Sequence, residues 1–172
     1  MSDTRSRVRN CIYENPGIHF NAVSRKLDIA TGQTQYHLRK LDRAQKVTKE
    51  GVYGRTHYFP PTFSAWERGV IALLRRETAR EIVLLLLRAE PLPPAAIADR
   101  LGLARSTVEW HLSRLVEYEI AEKSPAEQPG SELVIELTDN EEIYRLLREI
   151  EPRLVDRLVD RFSRLADELL DE

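Results

Sequence analysis

The chain has 172 residues, of which 42% are hydrophobic and 31% are charged, and this length accommodates two small domains with a core each. The net charge of −2 is unevenly distributed, because residues 1–60 hold 11 basic and 5 acidic side chains whereas residues 61–172 hold 15 basic and 23 acidic ones. Only the first third is therefore expected to attract a polyanion.

The single cysteine, Cys11, excludes an internal disulfide and a cysteine-cluster metal site, so we predict no metal and no cofactor. The longest apolar run, residues 82–87, is too short to cross a bilayer, and no membrane contact is predicted. The basic residues near the N-terminus lack the apolar segment of a signal peptide, which predicts a cytoplasmic protein. The sequence carries no glycine-rich phosphate loop or nucleophile motif, so an enzyme is not predicted.

In the first third, apolar residues at spacings of three and four predict three helices within residues 8–41. Asp28 occupies a tight turn before the third helix, where a left-handed backbone is common. Strand-like segments at 46–49 and 55–59 flank a glycine-bearing turn at 51–54, which predicts a β-hairpin.

A second segment aligns with this module without gaps when the sequence is superimposed on itself with one constant offset. The aligned pairs fall where three packed helices need their core: Leu27 with Leu101, Ile29 with Leu103, Ala30 with Ala104, His37 with His111, Leu38 with Leu112, and Leu41 with Leu115. In the second copy, Ser106 and Glu109 give a capping-box pattern at the start of the third helix, and residues 120–137 again resemble a hairpin. We interpret the two segments as a duplicated module, with both histidines packed rather than ligating.

The linker and the tail are also helical in pattern. Residues 63–76 predict a bridging helix, and a capping-box pattern at 78–81 opens the next one. The tail is helical from Asp139 onward with a break at Pro152, and an apolar seam follows at Val155, Leu158, Phe162, Leu165 and Leu169. This seam predicts a short coiled coil in a homodimer, and the alternative is packing against the bridging helix of the same chain.

Three helices followed by a hairpin is the element order of a winged helix-turn-helix unit. The predicted fold class is mainly α with small β-hairpin wings. We expect a basic winged helix-turn-helix module at 1–61, a bridging helix at 62–77, an acidic second module at 78–138 and a C-terminal helical segment at 139–172.

Two segments carry a family resemblance. DIATGQTQYHLRKL at 28–41 and LGLARSTVEWHLSRL at 101–115 resemble the turn and recognition helix of MarR/ArsR-type winged helix regulators. The linker segments WERG at 66–69 and RRETAR at 75–80 resemble tandem winged-helix regulators of haloarchaea. The resemblance covers residues 5–138 and implies a DNA-binding transcription regulator, although the paired cysteines of ArsR metal sensors are missing.

With Leu38 and Leu41 turned inward, the opposite side of the third helix carries polar and basic residues, with no acid between Gly32 and Leu41. Glutamine and arginine suit base edges and phosphates, so we predict that this side enters the major groove of double-stranded DNA. The predicted contacts are Gln33, Gln35, Tyr36, Arg39, Lys40 and Arg43 on the helix, Tyr53, Arg55 and His57 on the wing, and Arg25 near the end of the second helix.

The second module carries acids on the corresponding helix side and wing, and these repel phosphate. Weaker DNA contacts are predicted at Arg105, Ser106, Thr107 and Arg114. Trp110, at a partly exposed position, is the alternative anchor for a protein partner. The leading prediction is therefore a DNA-binding transcription regulator, and the alternative is a protein-interaction adaptor or an architectural chromatin-associated protein. An adaptor does not explain the acid-free basic helix side.

Overall fold

The computed structural model describes residues 3–127, 130 and 132–151, which form eight helices and five short strands. The predicted fold class, mainly α with small β-hairpin wings, is confirmed. None of the helices in these ranges is both long and apolar enough to span a membrane. The predicted seam at 155–169 lies outside the described residues and stays a prediction.

The first module contains three helices and a three-stranded antiparallel sheet of order β1-β3-β2. Its elements are α1 (Asp3–Glu14), β1 (Ile18–His19), α2 (Phe20–Leu27), α3 (Thr31–Arg43), β2 (Thr48–Val52) and β3 (Arg55–Phe59). The strands β2 and β3 form the wing, and β1 extends their sheet between α1 and α2.

The second module repeats the first after the linker helix α4 (Ala65–Leu74). Its elements are α5 (Glu77–Arg88), α6 (Pro94–Leu101), α7 (Arg105–Glu117), β4 (Ala121–Ser124) and β5 (Val134–Leu137), and α8 (Asn140–Ile150) follows them. The offset that aligns Leu27 with Leu101 also converts the bounds of α1, α2 and α3 into those of α5, α6 and α7, which confirms the predicted duplication. Asp28 and Gly102 occupy equivalent turns with left-handed φ angles of 50° and 64°.

The turn of the first wing is shorter than predicted. The strand β2 continues through Gly51 to Val52, so only Tyr53 and Gly54 remain in the turn, with φ angles of 44° and 80°. Two successive positive φ angles define the tight turn whose twist matches that of antiparallel strands. The wing is therefore a compact hairpin with Tyr53 at its tip.

Two helix starts differ from the predictions. The third helix of the second module begins at Arg105 and its N-cap is Ala104, so Ser106 lies within the first turn and does not cap the helix. Likewise α5 begins at Glu77 after Arg76, without a side-chain cap. Both capping-box patterns occur in the sequence, but α5 and α7 each begin earlier than these patterns predict. The end of α4 precedes α5 and the tight turn precedes α7, and these fix the backbone before each helix.

The buried side chains fall into two apolar clusters. The helices of the first module enclose one cluster, which includes Val8, Cys11 and Leu38, and burial raises the pKa of the Cys11 thiol. The second cluster contains α4, the helices of the second module and α8, together with Val52 and Phe59 from the first wing. Val52 and Phe59 of the first wing thus pack with α4 and the second module, whereas Tyr58 of β3 packs against the helices of its own module.

The helix α4 joins the modules through close approaches at two glycines. The Tyr118 ring lies directly against Gly69, in space that a side chain would fill. On the first module, Gly17 has a φ of 80° and leaves room for Ile71 and Phe59. Arg75, at the end of α4, donates from Nε and Nη2 to the Pro16 carbonyl oxygen at 3.1 and 2.6 Å.

We expect Gly69→Ala to destabilise the protein by about 1–3 kcal/mol, because the new methyl group would overlap the Tyr118 ring in a packed core. Urea unfolding followed by circular dichroism measures the change. Gly51→Ala is a control in an open position. Equal unfolding midpoints for Gly69→Ala and wild type would contradict the close packing of α4 against Tyr118.

Candidate nucleic-acid interface

The outer side of α3 is exposed and carries no carboxylate between Thr31 and Leu41. All six predicted contact residues on this helix are exposed: Gln33, Gln35, Tyr36, Arg39, Lys40 and Arg43. The Lys40 ammonium lies 5.7 Å from the centre of the Tyr36 ring, whose side chain is half exposed. The helix therefore presents amide, phenol and cationic groups on one accessible surface, which we call the α3 surface.

The opposite side of α3 is fixed to α2 by a buried hydroxyl pair. Ser24 Oγ donates to Thr34 Oγ1 at 2.9 Å, and Thr34 donates to the Ala30 carbonyl oxygen at 3.2 Å. His37 is buried on the same side, as predicted for a packed histidine, beside Leu38. These contacts set the rotation of α3 and direct its polar residues outward.

A cleft of about 600 Å³ separates the start of α2 from the wing. Its walls carry Arg25 from α2 and Arg55 from β3, with His19, Asn21 and Thr56 between them. None of the described side chains that line this cleft is a carboxylate. Burial lowers the pKa of His19, and the nearby Arg55 and Arg25 shift it in the same direction.

The structure corrects the prediction for His57. Its side chain is only 1% exposed, and Nδ1 donates to the Gly17 carbonyl oxygen at 2.7 Å. His57 therefore cannot reach DNA and instead joins β3 to the turn after α1. Arg55, two positions earlier, is exposed as predicted.

Tyr53, predicted to contact DNA from the wing, is half-buried and contacts the second module. Its hydroxyl donates a hydrogen bond to the Glu117 carboxylate of the second module, and its ring lies 6.3 Å from that of Trp110. Burial, followed by the hydrogen bond to Glu117, raises the pKa of Tyr53 to about 12.

The equivalent surface of α7 in the second module is chemically different. The Arg114 guanidinium lies 3.3 Å above the Trp110 ring and donates to the Trp110 carbonyl oxygen at 2.8 Å. Arg114 was predicted to contact DNA, but its guanidinium is engaged by Trp110, which argues against that contact. Arg105 lies 3.8 Å from the Glu109 carboxylate, Ser106 is exposed and Thr107 is half-buried.

A smaller cleft of about 230 Å³ lies beside the second wing and carries mixed charge. Its walls include Arg105 and Lys123 but also Glu109 and Glu132. Phosphate would meet two carboxylates there, whereas the cleft of the first module has none among its described lining residues. The Trp110 ring contacts Tyr53, Arg76 and Arg114 of the same chain. The predicted protein-partner site at Trp110 stays a prediction.

Sequence reasoning missed part of this arrangement. Asn21 and Thr56 join the cleft because β1 brings the start of α2 beside β3, and this pairing rests only on Ile18 and His19. So short a strand has no periodicity to detect. No group of His, Cys, Asp and Glu suited to a metal ion occurs within the described ranges.

The fold and the exposed third helix define a winged helix-turn-helix protein with two modules in tandem. Residues 2–71 match a protein family described as an N-terminal HTH domain, and residues 73–123 match one described as a helix-turn-helix domain. The chain therefore contains two helix-turn-helix domains, one in each half.

An uncharacterized HTH-type transcriptional regulator of Methanocaldococcus jannaschii is 30% identical over 115 residues. The match covers 67% of this chain and 29% of that protein, so the chain spans less than a third of the relative's length.

Two solved regulators are also similar. The ArsR-like transcriptional regulator from a Rhodococcus species is 24% identical over 61% of this chain and 90% of that chain, with a TM-score of 0.42. The PcaV transcriptional regulator from Streptomyces coelicolor, solved in complex with its natural ligand, is 19% identical over 83% of this chain and 96% of that chain, also with a TM-score of 0.42.

The burial of His57 predicts a loss of stability in mild acid. Burial lowers its pKa below the ordinary 6.5, and the neighbouring cations act in the same direction, although the hydrogen bond to Gly17 opposes them. Below about pH 6.5 the unfolded chain binds more protons than the folded one, so the free energy of unfolding falls as the pH drops through this window.

Urea unfolding between about pH 7.5 and 5.5 measures this dependence. His57→Gln keeps a side-chain donor for the Gly17 carbonyl oxygen but does not titrate, and it should reduce the pH dependence without abolishing it, since the pKa values of His19 and His111 are also lowered. An unchanged pH dependence in His57→Gln would contradict this assignment.

Proposed function

We propose that this protein is a transcription regulator that binds double-stranded DNA through the α3 surface of its first module. The observation that supports this proposal most directly is the exposure of all six polar and basic residues on that surface. An ordinary solvated helix side mixes acidic and basic residues, whereas this one has no acid from Thr31 to Leu41. Its width suits the major groove, which admits an α-helix.

Within the α3 surface, some residues would contact bases and others would contact phosphates. Gln33 lies in the first turn of α3, at the end of the helix that enters a groove first in helix-turn-helix complexes, and Tyr36 follows one turn later. Glutamine pairs with adenine through two hydrogen bonds, which carries sequence information. Arg39, Lys40 and Arg43 lie further along the helix and would contact the backbone, which fixes position and adds affinity for any sequence.

The cleft between α2 and the wing extends the interface to a phosphate backbone. Arg25 and Arg55 face it from opposite walls, with hydroxyl and amide groups between them. A DNA strand passing beside α3 would place phosphates at this cleft, where cations and neutral donors both hold phosphate oxygens. His57 has no part in the contact.

The remaining assignments follow from this proposal. The protein acts in the cytoplasm as a regulator without enzymatic activity, and residues 1–61 form the DNA-binding module. A homodimer through the seam at 155–169 would present two α3 surfaces to a two-fold operator. The charge of α3 disfavours a protein adaptor, because an adaptor needs no acid-free cationic helix.

Substitutions on α3 should separate base reading from phosphate contact. Gln33→Ala should flatten the preference among sequences by about 1–3 kcal/mol, the value of a bidentate base contact. Arg39→Ala should weaken binding to every sequence and reduce the slope of log affinity against log salt by about 0.9. Duplexes selected from a random library, measured by fluorescence anisotropy, provide the assay.

Arg148→Ala, at an exposed cation on α8, is the matched control for loss of charge and should leave both quantities unchanged. An unaltered sequence preference in Gln33→Ala would contradict base reading by this residue. If wild type binds no duplex at modest ionic strength, the proposed function is wrong.

The dimer is tested by charge placed on the seam. Leu158→Glu combined with Leu165→Glu should convert a dimer into monomers, because two carboxylates would oppose two others across a coiled coil. Light scattering gives the mass. Arg164→Glu, off the seam, is the control for charge alone, and a monomeric wild type would contradict the predicted coiled coil.

A further inference from the structure

The tip of the first wing is seated on the recognition helix of the second module. Tyr53 reaches Glu117 through its hydroxyl, and its ring lies 6.3 Å from Trp110 and 6.0 Å from Tyr118. The Arg114 guanidinium lies 4.4 Å above the same Tyr53 ring. A single residue of a tight turn therefore contacts four side chains from the other module.

Arg76 holds the wing from the linker side. Its Nη2 donates to the Tyr53 carbonyl oxygen at 2.8 Å, and its guanidinium lies 5.9 Å from the Trp110 ring. Arg76 directly precedes α5. The start of the second module therefore binds the backbone of the turn at Tyr53, and α7 binds the Tyr53 side chain.

The groups on α7 that hold the wing occupy the positions that the first module uses for its DNA surface. In the alignment of the two copies, Trp110 is the equivalent of Tyr36, and Arg114 is the equivalent of Lys40. Glu117 likewise takes the position of Arg43. In the first copy these residues are exposed, and in the second they contact the tip of the first wing, although Trp110 remains 41% exposed.

We propose that α7 is not a second DNA-reading helix but the docking surface that positions the first wing. This inference rests on the proposed function, since the wing residue that it positions is Arg55. Arg55 is exposed, two positions beyond Tyr53, and forms one wall of the cationic cleft. Trp110 and Glu117 are thus positioning residues that act on DNA binding without touching DNA.

The physical reason is preorganisation. Near its tip the wing has only two strands, because β1 pairs only with Tyr58 and His57. A two-stranded hairpin is marginally stable in water, and a mobile tip would lose conformational freedom when Arg55 met a phosphate. Docking on α7 removes that loss from the binding step, which raises affinity without a new DNA contact. The duplication thereby yields one reading helix and one supporting helix.

The first test needs no DNA. In the full-length chain, Trp110→Ala should speed hydrogen exchange of the backbone amides at 52–55 at least several-fold, and Glu117→Gln should do so to a smaller extent. Exchange in α3 should stay unchanged in both variants. An unaltered rate at the wing tip in Trp110→Ala would overturn the docking, whether or not the protein binds DNA.

The second test asks whether α7 acts on DNA through Arg55. We expect Trp110→Ala and Arg55→Ala each to lower the affinity for a selected duplex about tenfold, the size of one charged hydrogen bond. The double variant should bind about as weakly as Arg55→Ala alone. A loss of about a hundredfold in the double variant would show independent action and would overturn the proposal.

Arg105→Ala and Ser106→Ala are the controls for direct reading by α7, because both residues are exposed at its first turn. Unchanged affinity and sequence preference in these variants support the proposal, and a flattened preference overturns it. Tyr53→Phe removes only the hydroxyl bonded to Glu117 and gives a milder version of the expected loss should Trp110→Ala fail to fold. A wild type without affinity for any duplex would refute the proposed function, while the exchange experiment would still decide the docking.

Discussion

The packing of α4 between the two modules is the constraint on which the rest of the structure depends. Every residue of this helix from Gly69 to Leu74 is buried. A helix on the protein surface would bury only the side that faces the core, so α4 is covered on all sides along this segment. The approach of Tyr118 to Gly69 and of Ile71 to Gly17 leaves little room for a different arrangement. Because α4 contacts both modules, it sets the distance at which the first wing meets α7.

The duplication shows how one backbone supports two surfaces. The apolar positions of α3 and α7 agree, so the helices begin and end at equivalent residues and present equivalent sides. Their outward residues differ, because those of α3 are polar, aromatic and cationic whereas those of α7 include acids as well as bases. Since outward residues contribute little to the core, each module could change its surface chemistry while keeping its fold.

The sequence predicted the helices well because their apolar residues recur with helical spacing and because the internal repeat supplied each prediction twice. The exposure of the α3 surface followed from the inward leucines alone. The assignment of His57 was wrong, and the contacts of Tyr53 with the second module were not predicted, for a different reason. Alternation along a strand does not say which side a neighbouring module will cover, and that depends on contacts between positions far apart in the sequence, such as Tyr53 with Glu117. The cleft beside α2 likewise requires the short pairing of β1 with β3.

The division of the apolar core has a consequence for how a duplex would be held. The helices of the first module, including α3, enclose one cluster, whereas Val52 near the tip of its wing and Phe59 at the base belong to the other. Regions with separate cores can open as separate cooperative units. DNA bound by both α3 and Arg55 would bridge these two units, and the free energy of binding would then oppose the opening of either one. Bound nucleic acid would in that case hold the two units of the protein closed, in addition to being the ligand that the protein recognises.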